Sequence, residues 1–346
     1  MADFKRELKK YDYSFPKSLI AQKPALPRDS AKFLVYDRKS GKIRHDVFCN
    51  LPKYLPVGAL LVLNRTKVIP ARLALTKDTG GKVRILYLAT EGGLIKVLSD
   101  RGVKTGSRLV LNSKISFEVS RRDGKFYFLR PSFPAAETLN VLLRFGTAPI
   151  PPYVKHTPLG REELKSMYQS VFAKVNGSVA APTASLHFTK RLLKALKRKG
   201  IVVRFITLHA GLGTFAPLTR ENLENNMLHS ECYEIPRRTV VAVNLAKTAG
   251  NPVIAVGTTV VRALESSARD GGLNPKKLAR GTDLFIRDGY KFKIVDGLIT
   301  NFHVPKSSLL MLVSAFAGRK KLLGIYKAAI SCRYKLFSFG DAMLII

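Results

Sequence analysis

Between residues 72 and 130 the chain leaves no room for helices. Five short runs, "KVRILYLA", "LIKVLS", "SRLVLN", "ISFEVS" and "KFYFLR", follow one another, broken by "TGG", "EGG" and "RDG". Apolar or alternating segments this closely spaced, with Gly-rich turns between them, predict a small barrel or sandwich. "AAETLNVLLRFG" predicts a helix that closes the segment, and "APIPPYV" at 148–154 reads as a stiff connector. The rhythm on either side is different. "FLVYDRKSGKIRHDVF" reads as two strands around a turn, and "GALLVLN" as a buried strand. Beyond 154, helices "REELKSMYQSVFA" and "FTKRLLKALKRKG" lead to strand "IVVRFITLH", helix "RRTVVAVNLAKTAG", strand "PVIAVG" and helix "TTVVRALESSAR". "DLFIRDGYKFKIVDGLITNF" reads as strands with tight turns, then a helix runs over 306–330 and "YKLFSFGDAMLII" ends as a strand. Alternating strands and helices predict an α/β domain. The expectation is a larger α/β domain, a barrel-like mixed sheet with helices, built from residues 1–70 and 150–346. A small β-barrel domain at 71–149 is inserted into it.

Charge narrows the choice of partner. The 346 residues carry 59 Lys plus Arg against 24 Asp plus Glu, a net charge of +35. Such a surplus repels itself in the compact state and fits a polyanion, nucleic acid above all. The plainer alternative is a source whose proteins are all basic. Cys49, Cys232 and Cys332 are odd in number and lie far apart, so neither a disulfide framework nor a zinc ribbon is expected, which suits a reducing cytosol. The N-terminus lacks the apolar core of a secretory signal, and the longest apolar run, 309–317, is too short to span a bilayer. A cytoplasmic monomer without a membrane partner is expected.

Four loops draw attention. "HAGLGTFA" at 209–216 matches G-x-G-x-x-A after a strand, but Pro217 follows where a helix would have to begin, so dinucleotide binding is rejected. Gly211 and Gly213 still allow a backbone to come close to a ligand. "HSE" pairs His229 with Glu231; no P-C-x-x-C follows, which removes a zinc deaminase and leaves acid–base chemistry or a structural hydrogen bond. In "VGTTVVRALES" a strand ends at Gly257, Thr258 and Thr259 follow, and a helix starts, a natural anion seat. Arg262 and Glu265 lie three apart on one helix face, the alternative being a capped helix with a surface ion pair. "VAAPTASLHFT" at 179–189 sets a row of small residues before His187. No G-x-S-x-G elbow, Walker loop or HExxH occurs. These loops alone do not name a reaction.

Together they resemble one family. "FPKSLIAQKPALPRDSAKFLVYDR", "LVLNRTKVIPARL", "TGGKVRILYL", "PIPPYV", "VAAPTASLHFT", "TLHAGLGTFAPL", "HSECYEIP", "VIAVGTTVVRALES", "DGLITNFHVPKSSLLMLVSAFAG" and "YKLFSFGDAMLI" are similar, in order, to the S-adenosylmethionine:tRNA ribosyltransferase-isomerase family of queuosine biosynthesis. The resemblance covers nearly the whole chain and implies the same fold, a small β-barrel inserted in an α/β domain. It implies transfer of the ribosyl part of S-adenosylmethionine to the aminomethyl group of a 7-deazaguanine at the tRNA wobble position. The ribose rearranges to give epoxyqueuosine, adenine and methionine leave, and no metal is needed.

That chemistry requires a base for the proton beside the sulfonium, a donor for departing adenine and a seat for the methionine carboxylate. The resemblance points to His187 and Glu231 first as bases, then His229 and His209. Substrate contacts are expected from Thr183, Ser185, Gly211, Gly213, Thr258, Thr259, Arg262, Glu265, Asn301, His303, Asp341 and Arg72. Lys190, Arg191, Lys194, Lys197 and Arg198 are expected to touch tRNA phosphates, the alternative being a solvated helix face. The small residues of 179–185 would let the backbone press against a flat ligand, the alternative being close packing. The chain departs from the family at Arg65, where Asp is usual, at Ser185, where Gly is usual, and at Asn226 and Leu228, where His and Met are usual. The usual Arg-Pro pair near "VLSDRG" is also absent. Ser185 is either strained at positive φ or caps the helix that follows. Two rivals remain: a non-catalytic tRNA-binding homologue, and an S-adenosylmethionine-dependent methyltransferase, which the lack of a Gly-rich loop after an early strand disfavours.

Overall fold

Two β systems carry the chain in the computed structural model, which describes residues 2–211, 217–269, 271–276 and 278–346. The larger is a nine-stranded mixed sheet. At its centre Val202–Leu208, Leu60–Asn64, Val253–Val256 and Gly297–Asn301 run parallel. Ala342–Ile345 lies antiparallel to Gly297–Asn301 and parallel to Lys32–Tyr36, whose hairpin partner Ile43–Val47 forms one edge. Met227–Glu234 and Ala279–Leu284 form the other, both antiparallel. Three central strands, Leu60–Asn64, Val253–Val256 and Gly297–Asn301, are buried at every residue. Burial on both faces accounts for their unbroken apolar sequence. On one face Leu60, Val62, Val253 and Ala255 pack with Val260, Val261 and Leu264 of helix Thr258–Ser266. On the other, Leu61, Leu63 and Ile254 pack with Phe48, Phe188, Leu192 and Leu196.

The smaller system is a closed barrel of six antiparallel strands between Arg72 and Pro131. Closure leaves no free edge. It has its own core, with Leu73, Leu75, Val83, Ile85, Val97 and Val119 inside. The five expected strands are all present, and Arg72–Lys77 is the sixth that closes the ring.

Several elements are shorter than their sequence pattern suggests. The helix expected from 161 ends at Met167. The one expected over 306–330 is two, Ser308–Ala317 and Arg319–Ser331, parted at Gly318. The final strand begins only at Ala342, because 334–341 forms a loop tied to Asn301 and to the Lys32 strand. Between Leu284 and Gly297 there is no strand: the backbone N–H groups of Lys293, Ile294 and Val295 donate instead to Glu265.

The barrel is joined to the larger unit by two strand-like passages that touch. Arg72 and Thr147 exchange backbone hydrogen bonds of 3.2 and 2.9 Å. A Cβ on Gly146 would lie 1.8 Å from the Pro70 carbonyl oxygen and 2.5 Å from that of Leu142. Both obstacles are backbone, so neither can rotate away. Gly146→Ala is therefore expected to lower stability by about 3 kcal/mol or more, read as a drop in the urea midpoint. An unchanged midpoint would mean that the junction is not held this closely.

Candidate active site

The parallel strands end on one side of the sheet, and a cavity of ≈ 230 Å³ opens there. Ligands of open α/β sheets bind at such strand ends. Its wall is made of Ala180, Ala181, Pro182, Thr183 and Ala184, then Ala210, Gly257, Thr258, Thr259, Thr300, Asn301 and His303. Strand Met227–Glu234 adds Leu228, His229 and Glu231, and Tyr153, Tyr168, Phe302 and Phe337 supply aromatic surface.

The small residues of "VAAPTASLHFT" serve to bring backbone together. Val179 N–H donates to Ala210 C=O at 3.0 Å, and the Ser178 hydroxyl accepts from Ala210 N–H at 3.0 Å. Thr183–His187 is a single 3-10 turn. Ala184 faces Gly257, whose φ of +90° starts helix Thr258–Ser266 in a conformation that a side chain would oppose. No side chain caps that helix. Its first N–H groups therefore sit at the cavity wall with the positive end of the helix dipole.

Arg262, one turn further on, is buried and pairs with Glu231. Its Nε and Nη2 donate to the carbonyls of Leu284 and Thr282, each at 3.0 Å. Glu231 also accepts Gly211 N–H at 3.0 Å. The pair is thus a fixed buried charge couple at the cavity edge. Removing one partner would leave the other without compensation.

Of the residues singled out above, Thr183, His229, Glu231, Thr258, Thr259, Arg262, Asn301 and His303 line the cavity together. Gly211 joins them through its bond to Glu231, and Gly213 lies outside the described residues. The others have different surroundings. Glu265 does not pair with Arg262: it points away and accepts the N–H groups of 293–295 and the Tyr290 hydroxyl. His187 sits behind the wall, bonded to Asn301 at 3.2 Å and packed on Phe48. His209 shares a 2.8 Å hydrogen bond with Thr66, and burial lowers its pKa. Asp341 accepts the backbone N–H groups of Lys32 and Lys335 at 2.8 and 2.7 Å, and burial raises its pKa. Arg72 donates to Ile150 C=O at the barrel junction. Lys190, Lys194, Lys197 and Arg198 are exposed on helix Lys190–Arg198, but Arg191 is engaged in a two-pronged pair with buried Asp29. Tyr153, Tyr168, Phe337 and Ser338 were missed by sequence reasoning. Tyr153, Phe337 and Ser338 lie in "PIPPYV" and "YKLFSFGDAMLI", and Tyr168 follows helix Arg161–Met167, but aromatic residues there read equally well as core.

Ser185 resolves differently from either expectation. Its φ is not positive, and the following helix is capped by Thr189, whose hydroxyl accepts Leu192 N–H at 3.2 Å. The Ser185 hydroxyl is fully buried and has no hydrogen-bond partner among the described residues.

The sequence profile of the family described as queuosine biosynthesis protein matches residues 8–345. A Carboxydothermus hydrogenoformans protein named S-adenosylmethionine:tRNA ribosyltransferase-isomerase is 48% identical, covering 98% of this chain and 100% of that protein. A relative of the same name from Halothermothrix orenii is 46% identical over the same shares. A crystal structure of S-adenosylmethionine tRNA ribosyltransferase from Thermotoga maritima superposes with a TM-score of 0.57 at 35% identity, covering 97% of this chain and 100% of that one.

Two outcomes are expected from this geometry. Ser185→Ala removes a buried hydroxyl that bonds to nothing among the described residues and should raise stability by about 1 kcal/mol in urea unfolding; a loss would show that the hydroxyl has a partner. Burial pushes the pKa of both His187 and His303 down to about 4. In the unfolded chain these rings take up a proton near pH 6.5. Below that pH the unfolded state binds more protons, so stability falls as pH drops from about 6.5 to 4 and levels off beneath. The fall should be roughly 1–2 kcal/mol per histidine by pH 5, and a His187→Gln variant should show a shallower slope.

Proposed function

The chain belongs to the queuosine biosynthesis protein family, and from this premise we propose how it works as an S-adenosylmethionine:tRNA ribosyltransferase-isomerase. The observation that carries the reading is the convergence, at one cavity, of an uncapped helix start at Thr258 and Thr259 with the buried Glu231–Arg262 couple. S-adenosylmethionine brings a carboxylate, a sulfonium and a flat base. The carboxylate is seated by the N–H groups and hydroxyls of Thr258 and Thr259. The base lies along the small-residue wall of 180–184, where close backbone approach leaves a flat slot. Glu231 faces the sulfonium side, and it or His229 takes the proton from the adjacent ribose carbon, whose acidity the sulfonium raises. His187 is not the base in this reading, since it lies behind the wall.

The acceptor is the aminomethyl group of a 7-deazaguanine at the tRNA wobble position, and the product is epoxyqueuosine with adenine and methionine released. Lys190, Lys194, Lys197 and Arg198 contact phosphates from their exposed helix face. Three free, exposed cysteines suit the reducing cytoplasm in which tRNA is modified.

The reading is tested by incubating the protein with S-adenosylmethionine and tRNA carrying the aminomethyl base, digesting the RNA and weighing the nucleosides. Epoxyqueuosine and free adenine are expected. An unchanged base with tight tRNA binding would identify a non-catalytic homologue, and S-adenosylhomocysteine a methyltransferase.

A further inference from the structure

The outer wall of the inserted barrel carries a group of side chains that the cavity does not use. On strands Leu94–Ser99, Ser116–Asp123 and Phe126–Pro131, the residues Ile95, Val97, Val119, Tyr127 and Leu129 belong to the barrel core. Side chains alternate along a strand, so Lys96, Phe126 and Phe128 stand on the outside. Lys96 and Phe128 are cross-strand partners, and Phe128 pairs in turn with Arg121 on the neighbouring strand. Arg121, Phe128 and Lys96 therefore form a row across three strands, about 10 Å from end to end.

Cations and rings alternate on this wall. The Arg121 guanidinium lies 3.4 Å from the centre of the Phe128 ring, and Lys96 Nζ lies 5.6 Å from Phe128 and 5.0 Å from Phe126. Lys125 Nζ is 5.4 Å from Phe126. Two rings thus hold three cations on one surface. Arg121 and Lys125 are exposed, and neither has an acidic partner among the described residues, while Lys96 meets Glu91 at 3.4 Å. Glu118 and Asp123 are exposed acids of the same hairpin, and neither forms an ion pair among the described residues. Covering a ring needs only an apolar stem. Charged ends gathered there without enough acid to neutralise them suit an anion. Phe128 is buried beneath them, so the wall offers charge rather than a face on which a base could stack. That suits the phosphates of a nucleic-acid backbone.

We propose that this wall of the barrel is a second tRNA surface, in addition to helix Lys190–Arg198, on which Lys96, Arg121 and Lys125 contact backbone phosphates whatever the bases. The inference rests on the function proposed above, which supplies tRNA as the nucleic acid. A ring beneath a cation restricts its motion, so less freedom is lost when a phosphate arrives.

Binding of tRNA, followed by fluorescence anisotropy over a range of salt concentrations, tests this. In the triple variant Lys96→Met, Arg121→Met and Lys125→Met, unbranched apolar chains keep the rings covered and remove the charges. It should keep its urea midpoint and bind tRNA about tenfold more weakly near physiological salt, with the slope of log K against log salt reduced by about 2. The charge-keeping triple Lys96→Arg, Arg121→Lys and Lys125→Arg should bind as wild type does. In turnover the methionine triple should raise the KM for tRNA and leave kcat and S-adenosylmethionine affinity intact. A control triple, Lys39→Met, Lys42→Met and Arg44→Met, removes the same charge from exposed positions of the hairpin formed by Lys32–Tyr36 and Ile43–Val47. It should lose less than about twofold in affinity. Should the first triple fail to fold, Arg121→Met and Lys125→Met singly carry the test, each lowering the slope by about 1. Unaltered tRNA binding by the barrel variants, or an equal loss in the control, overturns the inference. No tRNA binding by wild type overturns the proposed function instead.

Discussion

Four parallel strands, three of them buried at every residue, set everything else in this molecule. Parallel neighbours cannot be joined by tight hairpins, so each connection must cross the sheet and return. All four strands then end on the same side, and the loops that follow them meet there. Asn64, fully buried at the end of one strand, ties these loops together. Its Nδ2 donates to Leu208 C=O at 2.9 Å and reaches Thr259 Oγ1 at 3.3 Å, while its Oδ1 accepts the N–H groups of Thr66 and Leu208. One side chain therefore sets the spacing between the ends of three strands. The cavity is a consequence of that spacing.

Buried carboxylates follow one rule around this frame. Glu231 meets Arg262, Glu265 meets three backbone N–H groups, Asp341 meets two, and Asp29 meets Arg191 and Thr189. Each carboxylate has several donors, as burial of charge requires. Three of the four hold loops in place. Only the Glu231–Arg262 couple faces the cavity, which is why a carboxylate in a matching sequence block is a poor guide to its role. The surplus of positive charge lies elsewhere, on exposed faces such as helix Lys190–Arg198.

The departures from the family pattern are accommodated locally. Arg65 donates to Thr207 Oγ1 at 3.1 Å and approaches Glu234 at 3.8 Å, residues that are cross-strand partners. Asn226 has φ +52°, a conformation that Asn tolerates better than most residues. Leu228 adds an apolar patch to the cavity wall. Ser185 is the exception, with a hydroxyl that bonds to nothing among the described residues.

The fold was legible because hydrophobic periodicity is a local record of burial. Unbroken apolar runs marked the central strands, and close spacing of short alternating runs marked the barrel. Ordered sequence blocks marked the family. The same blocks gathered the loops that meet at the cavity and eight of the side chains that line it, but not the surroundings of the others. Nothing local distinguishes Glu231 from Glu265, since both are carboxylates on short amphipathic elements. The difference is what stands opposite each: a guanidinium at the cavity for one, the backbone of 293–295 for the other. His187 stood out in sequence as a lone histidine after a row of small residues. Only packing against Phe48 and Asn301 decided that it faces inward, held neutral by burial, because contacts between residues 48, 187 and 301 exist only once the sheet has brought them together.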